Sequence, residues 1–175
     1  MNWFGKIIQK YVKSSDIVLD LGCGIMQSTT DSLGTNGNKG NLKCKCILGV
    51  ELYDKYLDVI KIKYPVIKAD VLNDSLFVNS SYDVVLCIDV LEHLKIEDAT
   101  YLLHKMKQIA RKYVLVYTPL KFDLNNQSEF GAWNLGDNNL QSHQCLIPIS
   151  LLNQLGYETK ITEIDGNIFG VWKHG

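Results

Sequence analysis

The stretch that most constrains this chain is Ile17-Val18-Leu19-Asp20-Leu21-Gly22-Cys23-Gly24-Ile25. An apolar run that closes on one carboxylate and then on two glycines a residue apart predicts a buried strand entering a tight turn. Glycine lacks Cβ, so it permits the backbone angles that a sharp strand-to-helix turn requires. It also lets a ligand approach the backbone N–H groups of that turn closely. This is the form of a nucleotide-type loop, and its details matter. The dinucleotide fingerprint places a third glycine at the sixth position, where this chain has Gln27, so the loop fits NAD poorly.

The rest of the chain alternates strand and helix. Cys44 to Glu51 predicts a second strand ending in a carboxylate, and Tyr53 to Tyr64 a helix stopped by Pro65. Val66 to Leu72 predicts a short third strand closing on Asp70. Tyr82 to Asp89 is the most apolar run, as expected of a strand covered on both faces of a parallel sheet. Residues 96–110 predict a helix with Leu102, Leu103, Met106 and Ile109 on its buried stripe, and Tyr113 to Pro119 a fifth strand. Pro148 to Tyr157 predicts a helix capped by Gly156, followed by a hairpin of 158–165 and 167–173 across Asp165-Gly166. At the other end, Trp3, Phe4, Ile7, Ile8, Tyr11 and Val12 fall on one stripe of a short amphipathic helix within residues 1–14. A short helix over 28–33 is interrupted by the glycine- and asparagine-rich segment 34–44.

At 175 residues the chain fits a single domain, 1–175. A net charge of −1 gives no electrostatic footprint for nucleic acid or an anionic membrane. No stretch approaches the roughly 18 apolar residues of a membrane span. The N-terminal sequence lacks a secretion pattern, and the five cysteines are an odd number, so reduced thiols and a cytoplasmic location are expected.

Val18-Leu19-Asp20-Leu21-Gly22-Cys23-Gly24 resembles the first motif of the class I S-adenosylmethionine-dependent methyltransferases, and Tyr82-Asp83-Val84-Val85 followed by Asp89-Val90-Leu91-Glu92-His93-Leu94 resembles their fourth. One position departs from the pattern: the further glycine usual two residues after Gly24 is Met26. The resemblance implies an α/β fold, a three-layer, doubly wound, Rossmann-like sheet of seven strands in the order 3-2-1-4-5-7-6 with the last strand antiparallel. It implies S-adenosyl-L-methionine as cofactor, bound by Asp20, Gly22, Cys23, Gly24, Glu51, Leu52, Asp70, Val71 and Asp89. Within that set Glu51 would accept from both ribose hydroxyls, Asp70 from the adenine amino group, and Asp89 from the methionine amino group, while Val71 would give a backbone N–H to the ring.

The aperiodic stretch 119–147 is the expected substrate side, with Phe130 and Trp133 as an apolar wall and His143 as the candidate catalytic base. His93 and Tyr117 are further candidates. Methyl transfer needs chiefly alignment, and a base helps only where the acceptor must lose a proton. Cys44, Cys46, His143 and Cys145 are ligand types that zinc accepts, but one-residue spacing is not the usual chelating turn, and no metal is expected. With no added domain and no basic patch, the expected acceptor is a small molecule. Two other readings remain: a non-catalytic methyltransferase-like partner or scaffold, and a different nucleotide-using Rossmann-type enzyme.

Overall fold

The computed structural model describes residues 7–26, 44–74, 81–121, 132–136, 138–163 and 165–175. The expected helix over 28–33, nearly all of the 34–44 segment, Gln27, Phe130 and the start of the N-terminal stripe, Trp3 and Phe4, lie outside the described residues.

Seven strands form one sheet: β1 (Ile17–Leu21), β2 (Cys46–Glu51), β3 (Val66–Lys68), β4 (Tyr82–Ile88), β5 (Ala110–Thr118), β6 (Glu158–Ile161) and β7 (Ile168–Lys173). Their order is β3-β2-β1-β4-β5-β7-β6. The pairs from β3 to β5 are parallel, and β7 runs antiparallel to both its neighbours. The expected order and the reversed last strand are both found. β4 explains why its sequence is so apolar: Val84, Val85, Leu86 and Cys87 are all fully buried, because this strand has neighbours on both edges and cover on both faces.

The sheet's two faces build two cores. Leu19, Leu21, Val85, Cys87, Val114 and Val116 point to one, which is covered by helix α2 (Ile96–Ile109) through Leu102, Leu103 and Met106 and by helix α3 (Ile149–Gln154) through Leu152. Val18, Ile47, Val84, Leu86 and Leu115 point to the other. Ile60 of helix α1 (Asp54–Ile60) covers that face, together with Ile8 and Val12 from the N-terminal stripe. The stripe thus packs on the sheet, with Tyr11 set edge-on to Tyr113 at a centroid distance of 5.3 Å.

Several elements differ in length from expectation. β3 stops at Lys68. Asp70 therefore sits beyond it in a turn, its carboxylate accepting the Leu72 N–H at 2.9 Å. α1 ends at Ile60, ahead of the proline. β5 begins three residues early, at Ala110, because Ala110 pairs with Tyr82 across an irregularity in the register. The expected hairpin forms, but β6 stops at Ile161 and β7 starts at Ile168, so the connection is longer than the two residues Asp165-Gly166, with Thr162 N–H donating to the Asn167 carbonyl at 2.9 Å and Gly166 at φ +71°. Gly156, at +82°, follows the end of α3.

Candidate active site

The strands β1, β2 and β4 end side by side, and the loop after β1 crosses their carboxyl ends. Gly22 and Gly24 take φ of +63° and +54°, which answers the sequence signal that singled them out. A Cβ on Gly22 would lie 2.5 Å from Val90 Cγ2, so the loop passes tightly against the exit of β4. The loop is also tied to β2. Cys23 N–H donates to the Val50 carbonyl at 3.0 Å, and Gly24 N–H donates to Glu51 Oε2 at 2.8 Å. The other Glu51 oxygen, Oε1, accepts from the N–H groups of Leu52 and Tyr53, each at 2.8 Å. A carboxylate offers about four lone-pair positions. Backbone amides among the described residues take three of them, so Glu51 braces the loop as well as facing the cleft.

Met26, at the position where a glycine was expected, is itself left-handed, with φ +57°, and fully buried. Its side chain fits because β2 carries Gly49 opposite: a Cβ there would meet Met26 Cε and Cys23 Sγ, each at 2.6 Å.

A cleft opens above these strand ends. Its walls include Gly22, Glu51, Leu52, Asp70, Val71, Asp89 and, from the far side, His93, Asn138, Leu140 and Gln141. Six of the nine residues named for the cofactor thus line one cavity. The other three stand behind it. Asp20 is 1% exposed within the sheet, Cys23 is buried against Gly49, and Gly24 is covered by the Trp133 ring. Burial, with Asp20 and Glu51 nearby, pushes the Cys23 thiol far above its ordinary pKa, so it is inert as a nucleophile. Asp89 is exposed to the cleft at the end of β4 and adopts φ +52°, a conformation that aspartate tolerates better than most residues.

The segment after β5 contributes the far wall of the cleft through Asn138, Leu140 and Gln141. Trp133 meets Tyr56 of α1 edge-on, with centroids 4.9 Å apart, and lies over Gly24. Asn138 is buried and caps the short turn Asn139–Gln141 by accepting the Leu140 N–H at 3.0 Å. Asn138, Leu140 and Gln141 carried no sequence signal beyond lying in that loop.

His143 is half-buried and does not line the cleft itself, but its ring centroid lies 4.9 Å from that of His93, which does. The backbone explains the meeting. Gln144 N–H donates to the Glu92 carbonyl at 2.7 Å, and Gln144 Nε2 donates to the His93 carbonyl at 2.6 Å. Burial, with His143 alongside, lowers the His93 pKa to about 4, so this imidazole is neutral at physiological pH. The Glu92 side chain, 2% exposed, reaches the same place and accepts from Thr118 Oγ1 at 2.9 Å. Donor atoms of Glu92, His93 and His143 lie within 4.8 Å of one another. The sequence contained all three but held no sign that His143 would meet the other two. The cysteines considered with it do not join this group: Cys44 is buried on the other core, and Cys46 opens β2 at the opposite end of the sheet. Tyr117 donates to Asp165. Burial and that bond raise its pKa well above the usual range, which removes it as a base.

Among the described residues no helix is long and apolar enough to cross a membrane. No curated protein matches the chain. Solved structures do. A SAM-dependent methyltransferase from Archaeoglobus fulgidus matches with a TM-score of 0.66 at 16% identity, over 97% of this chain and 90% of that one. The magnesium protoporphyrin IX methyltransferase of Synechocystis PCC 6803, solved with bound SAH, matches with a TM-score of 0.62 at 16% identity, over 97% and 78%. A Pyrococcus horikoshii OT3 protein matches with a TM-score of 0.64 at 14% identity, over 97% and 87%. At these identities the likeness is one of fold. The family model described as a methyltransferase domain matches residues 5–159, most of the sequence, and the chain belongs to that family.

Proposed function

We propose that the chain is an S-adenosyl-L-methionine-dependent methyltransferase acting on a small-molecule acceptor. The observation that carries this reading is the charge of the cleft. Its lining holds three carboxylates, Glu51, Asp70 and Asp89, and, among the described residues, no lysine or arginine. A dinucleotide brings a pyrophosphate that such a wall repels. A phosphate-free nucleoside bearing a sulfonium and an ammonium group suits it. The glycine turn, passed so closely by Val90, leaves backbone at the point where the two halves of the sheet diverge, which is where ligands sit in such folds.

When bound, S-adenosylmethionine supplies an electrophilic methyl group with a thioether leaving group already attached. The chain's residues then bind and align. Asp89 pairs with the ammonium group of the methionine end. Glu51, braced by three amides, uses its remaining acceptor position on the ribose diol, one contact where the sequence suggested two. Asp70 and the Val71 backbone take the adenine edge, and Leu52, Val71 and Leu72 flank its faces. Asp20, Cys23 and Gly24 support the loop from behind. His143 is the candidate proton acceptor for an acceptor molecule that must lose a proton.

The test is transfer of a labelled methyl group from S-adenosylmethionine to a panel of small oxygen and nitrogen acceptors. Transfer to any of them supports the reading. Tight cofactor binding with no transfer across the panel favours the non-catalytic partner.

A further inference from the structure

No metal is expected from the sequence, yet His93, which lines the cleft, stands with the carboxylate of Glu92 and the imidazole of His143 so that the donor atoms of the three lie within 4.8 Å of one another. We propose that Glu92, His93 and His143 form a binding site for a first-row divalent transition ion, placed beside the cleft so that its open positions take an oxygen of the acceptor molecule. The clause about the acceptor rests on the proposed methyl transfer, and the metal site does not.

Three features beyond proximity support it. The first is the donor set. Two imidazoles and one carboxylate on one side of a site is an arrangement that transition ions accept with positions left open, whereas magnesium and calcium favour all-oxygen surroundings. The second is orientation from outside. Thr118 Oγ1 donates to Glu92 Oε2 at 2.9 Å. His93 Nδ1 lies 3.4 Å from the Ser142 carbonyl. The Gln141 backbone bonds the same ring, and in the tautomer that puts Nδ1–H toward Ser142 the nitrogen that would ligate is Nε2, with the backbone orienting the ring as it commonly does for metal-binding histidines. The third is the backbone stitching. Gln144 N–H and Cys145 N–H both donate to the Glu92 carbonyl, at 2.7 and 3.3 Å, and Gln144 Nε2 to the His93 carbonyl. These bonds hold His143 against a turn far earlier in the chain.

Bond lengths to such an ion are about 2.0–2.2 Å, which places donors roughly 3–4 Å apart. Side-chain rotations of about an ångström therefore close the site without moving the backbone. His93 also lines the cleft, so the ion would face it. His143 then acts as a ligand in place of a base, and the acceptor class narrows to molecules that present a hydroxyl or phenol, because an ion with open positions binds such an oxygen and lowers its pKa.

The experiment is titration of the chelator-treated 175-residue chain with cobalt(II), followed by visible absorption, and with zinc by calorimetry. The variants are Glu92→Gln, close in shape to the native side chain, and His143→Ala, in an irregular segment. His104→Ala, an exposed position on α2, is the control, and circular dichroism confirms the fold of each. The expected result is one ion per chain, with affinity lowered at least about tenfold in both site variants and unchanged in the control. Absence of saturable binding, or affinity equal to the wild type in folded Glu92→Gln and His143→Ala, overturns the proposal. The metal titrations contain no cofactor, so a failure of S-adenosylhomocysteine to bind the wild-type chain defeats the proposed function and leaves this result standing.

Discussion

Replacing Gly49 by alanine tests why the loop after β1 tolerates a methionine at its third glycine position. The new methyl would lie 2.6 Å from both Met26 Cε and Cys23 Sγ, and 3.4 Å from Cys23 Cβ. Gly49 has no positive φ, so the cost is steric alone. Both obstructing side chains are buried, at 0% and 9% exposure, and neither can swing into solvent. Overpacking of this kind costs about 1–3 kcal/mol, which for a chain of this size lowers Tm by about 2–12 °C. Met26 itself bears a left-handed strain of about 1–2 kcal/mol against a burial gain of about 1.5–3 kcal/mol, which is why the fold retains it. Met26→Ala should cost about 2–5 kcal/mol. In the double variant the methyl added at position 49 enters the space that methionine vacates. The two changes should then fall short of their sum by about 1 kcal/mol or more, with the Cys23 contact preventing full rescue. Urea unfolding of the four proteins gives the cycle. A Gly49→Ala protein as stable as the wild type, or strict additivity, refutes the reasoning.

Glu51→Gln places an NH2 group against one of three amide donors, so stability should fall by about 1–3 kcal/mol and S-adenosylhomocysteine affinity by at least about tenfold; unchanged affinity in calorimetry would remove Glu51 from the site. Asp83 is a pH sensor for stability: burial works to raise its pKa but is outweighed by the Ile17 amide at 2.9 Å and by Lys112 and Arg111, leaving it below the usual value. Its contribution is therefore present above the unfolded pKa of about 3.9 and lost as pH falls through the lower folded value. Asp83→Asn should be less stable than the wild type at neutral pH and should converge with it in acid, as measured by urea midpoints from about pH 7 down to about pH 2.

Sequence pattern revealed the fold wherever local chemistry and tertiary demand agreed. The unbroken apolar run of β4 could only be a strand covered on both faces, and Asp165-Gly166 could only turn a hairpin. It misjudged lengths where pairing decided the matter. Ala110-Arg111-Lys112 reads as a helix end, yet the partner at Tyr82 draws it into β5. β3 holds three residues, which pair with Gly49, Val50 and Glu51, the last three of the six in β2. The cleft was legible in its acidic half, since Glu51, Asp70 and Asp89 each announce themselves at a strand exit. The other half was not. Asn138, Leu140 and Gln141 reach it through a loop with no period, and His143 meets Glu92 and His93 through backbone bonds between distant parts of the chain, a relation that spacing does not encode.

The most direct measurement of the central claim is calorimetric titration of the purified chain with S-adenosylhomocysteine, with NAD as the comparison. A cleft lined by carboxylates, with no lysine or arginine among its described walls, predicts saturable one-to-one binding of the first and none of the second. Binding of NAD alone, or of neither ligand by a chain shown to be folded, would contradict the account.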